Sequence, residues 1–147
     1  MPIELATLSP CPFCDYLAGV KGCAFIRRNQ LVSSFVNRAQ YELGAILIVS
    51  NAHMATLLDL PADTLAEIGA ESQLLGKALI KEFGAIGLNV FQNNGIHANQ
   101  HVPHYHMHLV PRYPGSDSTK IYQQGAYEPI SISEQTLLAK RIANAVA

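Results

Sequence analysis

Apolar residues along the chain fall into short blocks separated by turn residues, with one long stripe between them. Residues 23–37 (CAFIRRNQLVSSFVN) read as two short strands about an Arg-Asn-Gln turn. Residues 44–49 (GAILIV) are a continuous apolar run of strand length. Beyond Leu60-Pro61 the period changes. Leu65, Ile68, Ser72, Leu75, Leu79 and Phe83 step by three and four, which predicts one stripe of a long helix, and Gly84 ends it. Residues 87–92 (GLNVFQ) predict another strand and Asn93-Asn94-Gly95 a turn. A loop through Asn99 leads into a strand over 102–110, which Pro111 closes. Ser131 and Glu134 stand at capping-box spacing, opening a short C-terminal helix over 133–146. The predicted order is β-β-β-α-β-β-α. It implies an α+β fold with a mainly antiparallel sheet of about five strands, one long helix and one short C-terminal helix.

The strand before Pro111 is chemically unusual. It reads QHVPHYHMHLVPR, and four of the six histidines lie within 101–108. A strand sends alternate side chains to the same face. His104, His106 and His108 therefore share one face, while Tyr105, Met107 and Leu109 take the other, the expected core side. A single histidine there could be an exposed or satisfied side chain. Three in strict alternation suggest a use. Imidazoles two apart on a strand can share a metal ion. Neutral imidazole can also attack an electrophile such as phosphorus, with a neighbouring carbonyl or histidine fixing the tautomer of the attacking ring.

The totals narrow the setting. At 147 residues the chain fits one domain over 1–147. It is 49% hydrophobic and 14% charged with a net charge of −1, which excludes a disordered chain. It gives no support to nucleic-acid or membrane-surface binding through bulk charge. A site for one small phosphorylated ligand is compatible with it. The start, MPIELATLSPCPFC, lacks a basic stretch followed by a long apolar run, and no run of 18 apolar residues occurs. A cytoplasmic protein with no membrane partner is expected. Three cysteines, two of them in the C-x-x-C spacing of Cys11 and Cys14, favour reduced thiols over a disulfide framework. Such a pair is half of a tetrahedral zinc site, a redox couple, or two small buried residues. Pro10 and Pro12 predict a turn there, which disfavours the redox couple. Cys23 is expected in the core.

HYHMHLVPR, preceded by Asn93-Asn94-Gly95 and by Gln100, with the apolar strand GAILIVSNAH and a long helix further upstream, resembles the histidine triad (HIT) family in its bacterial single-domain form. The resemblance runs from about residue 11 to 113. It implies a nucleotidyl hydrolase or transferase acting at the α-phosphate of dinucleoside polyphosphates, nucleoside phosphoramidates or related purine nucleotides. His106 would be the catalytic nucleophile, forming a covalent nucleotidyl-histidine. His108 would hydrogen-bond the phosphate or leaving group. Asn93 and Gln100 would hold phosphate oxygens, and Asn37 would contact the ribose. It also implies a structural zinc on Cys11, Cys14, His53 and His104, so that His104 pins the strand carrying the nucleophile.

The chain departs from the family pattern at three places. Gly44-Ala45 replaces a usual Gly-His, Asn99 replaces a glycine, and His101 replaces a small hydroxyl residue. A protonated His101 could supply the lost donor to phosphate. Two other readings compete: a catalytically weak nucleotide-binding module, and a metalloenzyme with its metal on all three alternating histidines. A homodimer is expected from the family and from Gly69, Gly76 and Ala78 beside the helix stripe. No residue that reads the base is identifiable. Leaving-group specificity is assigned to the loop over 113–130.

Overall fold

The computed structural model describes residues 2–119 and 127–146. Residues 120–126 of the loop expected to set leaving-group specificity lie outside the described residues. Three helices, α1 (Pro12–Leu17), α2 (Ala62–Phe83) and α3 (Ile132–Ala145), accompany five strands: β1 (Phe25–Arg28), β2 (Val32–Val36), β3 (Ile46–Ser50), β4 (Gly87–Phe91) and β5 (His106–Arg112). The strands form one sheet in the order β1-β2-β3-β5-β4, with every neighbouring pair antiparallel. This is the expected α+β architecture. No helix among the described residues is long and apolar enough to cross a membrane.

The continuous apolar run of β3 has its cause here, because both faces of the sheet are covered. Ile46 and Ile48 join Ile26, Val32, Val36, Tyr105 and Leu109 beneath α2 and α3, where Ile68, Leu75, Leu79, Leu138 and Ile142 meet them. Leu47 and Val49 point the other way and pack with Phe35 and with Phe13 of α1. Full burial of each large aliphatic chain stabilises by about 1.5–3 kcal/mol. Tyr105 and Leu109 belong to the core side and Met107 packs against it, which leaves His106 and His108 on the α1 side.

Four expectations about elements change. The Cys11–Cys14 segment is a short helix, not a turn: Cys11 is its N-cap, its Sγ accepting from Cys14 N at 3.4 Å, and Pro12 opens the first turn, where a missing N–H costs nothing. The last strand starts at His106, not at 102, and continues through Pro111 to Arg112. Pairing with β3 ends at Leu109, so Pro111 has only β4 beside it, an edge-like position that tolerates proline. The buried face of α2 carries Thr64, Ile68, Glu71, Leu75, Ala78 and Leu79, while Leu65 is 43% exposed and Ser72 only half-buried. Glu71 can occupy that face because Arg27 of β1 reaches it, with Nε at 3.2 Å from Oε2 and Nη2 at 3.2 Å from Oε1. Finally, Gly76 and Ala78 are consumed by packing within the chain: a Cβ on Gly76 would stand 2.9 Å from Leu88. Of the three small residues, only Gly69 faces outward. The two helix ends read from sequence hold. Gly84 takes a left-handed φ of 66° and donates to Ile80 O, and Ser131 and Glu134 form a reciprocal capping box.

Candidate active site and metal centre

The alternating histidines separate into two groups. His104 precedes β5 and is fully buried. Its Nε2 lies 2.7 Å from the Ser50 carbonyl. A carbonyl only accepts, so Nε2 carries the proton and Nδ1 keeps its lone pair. That lone pair faces Cys11 Sγ at 3.4 Å and Cys14 Sγ at 3.5 Å. Beyond β3, His53 brings Nδ1 to 3.2 Å from Cys14 Sγ. The four ligand atoms all lie within 4.8 Å of one another. A tetrahedral zinc with bonds of about 2.3 Å to sulfur and 2.0–2.1 Å to nitrogen would separate sulfur from nitrogen by about 3.5 Å. The donor set therefore fits a metal ion, and the Ser50 carbonyl orients a ligating imidazole as metal sites require. Burial, then the neighbouring Cys11, pushes the Cys14 thiol up to about 11, so a bound metal would displace its proton.

His106 and His108 serve a different place. His106 donates Nδ1–H to the His104 carbonyl at 2.7 Å, a contact of the same kind, which leaves Nε2 as the basic nitrogen. Burial holds its pKa below the ordinary value against the opposing effect of that hydrogen bond, so the ring is neutral near pH 7. His108 lies flat on Phe91, with centroids 4.3 Å apart and planes 3° from parallel. Its pKa is lowered to about 3, first by burial and then by His106. Its Nδ1 is buried and meets no hydrogen-bond partner among the described residues. Phe13 of α1 stands edge-on to both His106 and His104, at 5.0 and 5.8 Å between centroids, and so packs between the Cys11–Cys14 helix and the two rings. No group of potential metal ligands among the described residues includes His106 or His108, so the three alternating histidines do not share one metal position.

A cavity of about 240 Å³ opens over these two rings. Asn37, Asn93 and His101 line it together with His106 and His108, and apolar walls come from Phe13, Phe35 and Leu47. Gln100 does not line it. Its side chain is 2% exposed and spent on the loop itself: Oε1 accepts from Gly95 N and Nε2 donates to Ala55 O, both at 2.7 Å. It shapes the turn that carries Asn93 and His101. Asn99 takes a left-handed φ of 69°, a conformation asparagine tolerates better than most side chains, which accounts for a non-glycine at that point. Cys23 is half-buried, packing against the Phe13, Phe35, Leu47 and Val49 cluster as expected of a core residue and also lining the cavity. Several lining residues carried no site signal in the sequence, among them Arg38, Tyr41, Tyr16 and Gln135. Tyr16 had no pattern before α1 was known, and Gln135 comes from α3, far along the chain.

The HIT domain family model matches residues 19–115. The chain belongs to the HIT family. The HIT protein is 30% identical over 138 residues to Protein hit of Bacillus subtilis, covering 91% of this chain and 95% of that one. It is 31% identical over 102 residues to an adenosine 5'-monophosphoramidase of Schizosaccharomyces pombe, covering 69% and 74% of the two chains. Its fold is shared with a zinc-bound histidine triad family protein of Mycobacterium smegmatis, at a TM-score of 0.78 and 23% identity over 93% of each chain. A bis(5'-nucleosyl)-tetraphosphatase of Schizosaccharomyces pombe is also similar, at 29% identity over 91 residues, covering 62% of this chain and 50% of that one.

Proposed function

We propose that this HIT protein is a nucleotidyl hydrolase or transferase that works through a covalent intermediate on His106. One observation carries the reading: His106 Nδ1–H donates to the His104 carbonyl, which leaves Nε2 as the unprotonated nitrogen of a ring that lines the cavity. Nε2 attacks the α-phosphorus of an adenosine phosphoramidate or a dinucleoside polyphosphate. A nitrogen–phosphorus bond forms, the bond from phosphorus to the leaving group breaks, and an amine leaving group takes its proton from solvent water, which regains one when water attacks in the second step. Water then attacks the same phosphorus, releases the mononucleotide and returns His106 to its neutral form. Division into two displacements lowers the barrier of each. His108 hydrogen-bonds the phosphate or leaving group. Asn93 and His101 hold phosphate oxygens as charge develops, Asn37 meets the ribose, and Gln100 positions their loop.

Zinc is the metal assigned to Cys11, Cys14, His53 and His104, which would hold it with four protein ligands, and there it would supply a structural cross-link. The reading extends to a purine nucleotide as ligand and to a homodimer in the cytoplasm, a compartment that keeps such thiols reduced. The activity of the fission-yeast relative supports an adenosine phosphoramidate as first substrate. The test mixes protein with excess adenosine phosphoramidate or dinucleoside tetraphosphate, quenches early and measures intact mass. An acid-labile nucleotidyl adduct is expected on the wild type and not on His106→Ala or His106→Gly. Nucleotide binding with neither adduct nor released mononucleotide would overturn the catalytic reading in favour of a binding module, with the His101 loop as its cause.

A further inference from the structure

The cavity over His106 contains a buried carboxamide that the proposed chemistry leaves unused. Gln135 lies in the first turn of α3, beyond the residues the HIT domain covers, yet it is buried and lines that cavity. Its Nε2 donates to the Ile130 carbonyl at 3.0 Å. Because a carbonyl only accepts, the carboxamide cannot be reversed, and Oε1 is the atom left to face a ligand. Among the described residues no donor is paired with it. The chain leading into α3 is anchored beside the site, since Ile130 N donates to Arg38 O at 2.9 Å and Arg38 lines the same cavity.

The sheet register gives the direction. His108 pairs with Leu47, Leu47 with Phe35, and Phe35 with Phe25. At about 4.8 Å per strand, Phe35 stands about 10 Å from His108 across the sheet, and the β1 margin one step further. Cys23 and Gln135 also line the cavity. The segments next to them are tied to the end of β2 beyond Phe35, where Ala24 O accepts from Val36 N and Arg38 O from Ile130 N. The cavity therefore extends from the two histidines past Leu47 and Phe35 toward that end. A nucleotide with its phosphate at His106 has its base between apolar walls and its base edge at that far end. This placement rests on the nucleotide reading above.

We propose that Gln135 Oε1 reads the base by accepting a hydrogen bond from an exocyclic amine, so that a 6-amino purine is preferred over a 6-oxo purine. With a 6-oxo base two acceptors would face each other in a buried site, and the lost hydrogen bond is felt in full. A ribose hydroxyl could donate to the same atom, so the test has an arm for it. Dissociation constants of AMP, IMP and 2'-deoxy-AMP are measured by calorimetry on the full, metal-replete chain and on Gln135→Met and Gln135→Ala. Wild type should bind AMP about tenfold more tightly than IMP, the two variants about equally, and the 2'-deoxy nucleotide like AMP throughout. Equal affinities of wild type for AMP and IMP would overturn the proposal, and need no variant to fold. So would a preference that survives both substitutions, or one that moves to the ribose hydroxyl. AMP binding with the expected ratios but without any adduct would remove covalent catalysis and leave base reading in place. Failure to bind any of the three nucleotides would remove both.

Discussion

His108 should cost this protein stability, and more as pH falls. Two features set the size. Its buried Nδ1 has no partner among the described residues, which costs about 1–3 kcal/mol for a desolvated polar atom. Its folded pKa is lowered to about 3, against about 6.5 in an unfolded chain. Below that upper value the unfolded state binds a proton the folded state refuses, so stability declines as pH drops from about 6.5 toward 3. Each pH unit within that window is worth about 1.4 kcal/mol, so about 2 kcal/mol is lost between pH 6.5 and 5. His108→Phe keeps a flat ring on Phe91, where the present stack has centroids 4.3 Å apart, and removes both the orphan atom and the titration. The variant should be inactive, about 1–2 kcal/mol more stable than wild type at pH 7, and about 2 kcal/mol further ahead at pH 5. Urea denaturation of both proteins at pH 7, 6 and 5 measures this. A stability gap that stays constant with pH would refute the titration argument. A variant less stable than wild type at pH 7 would refute the argument from the orphan nitrogen.

Three further outcomes are expected. Cys14→Ser should lower metal content by elemental analysis and lower Tm, and chelation should do the same to wild type; a metal at about a thousandfold excess over its Kd contributes about 4 kcal/mol, so an unchanged Tm on chelation would count against a structural metal. Gly95→Ala should lose about 1–3 kcal/mol and raise KM, because Gly95 has φ 93° and a Cβ would run into Ile3 and the Glu4 carbonyl, displacing the loop of Asn93 and His101; Ile3→Gly in the same chain should restore part of both in denaturation and kinetic assays. Arg27→Ala should destabilise by about 1–3 kcal/mol, since it leaves the nearly buried Glu71 without its guanidinium, whereas Glu71→Leu should stay within about 1 kcal/mol of wild type by chemical denaturation.

Local pattern was informative wherever a local cause forms the element. The capping box at Ser131 and the αL glycine at 84 depend on neighbours within four residues, and both were legible. The stripe of α2 was legible in period but displaced at its first turns. Which side of the helix faces the sheet there depends on Arg27 and on the twist of strands still unformed in any local view. The short α1 was hidden because two prolines read as a turn, while Cys11 supplies the cap that turns Pro12 into a helix start.

By itself the sequence determined the α+β class, the order of elements along the chain in outline and the two-residue alternation that sets His106 and His108 against Tyr105 and Leu109. These follow from backbone periods that any solvent-exposed chain must satisfy. Only the tertiary structure decided how the histidines divide their labour. His104 leaves the strand to meet Cys11, Cys14 and His53, a grouping of residues up to 93 positions apart. Gln100 turns inward because Gly95 N and Ala55 O are there to meet both ends of its amide. Gln135 reaches the cavity because the Ile130–Arg38 backbone bond brings the start of α3 to the sheet margin. Each of these is a long-range contact chosen by burial and hydrogen-bond satisfaction across the whole core, and a window of neighbouring residues holds no record of it.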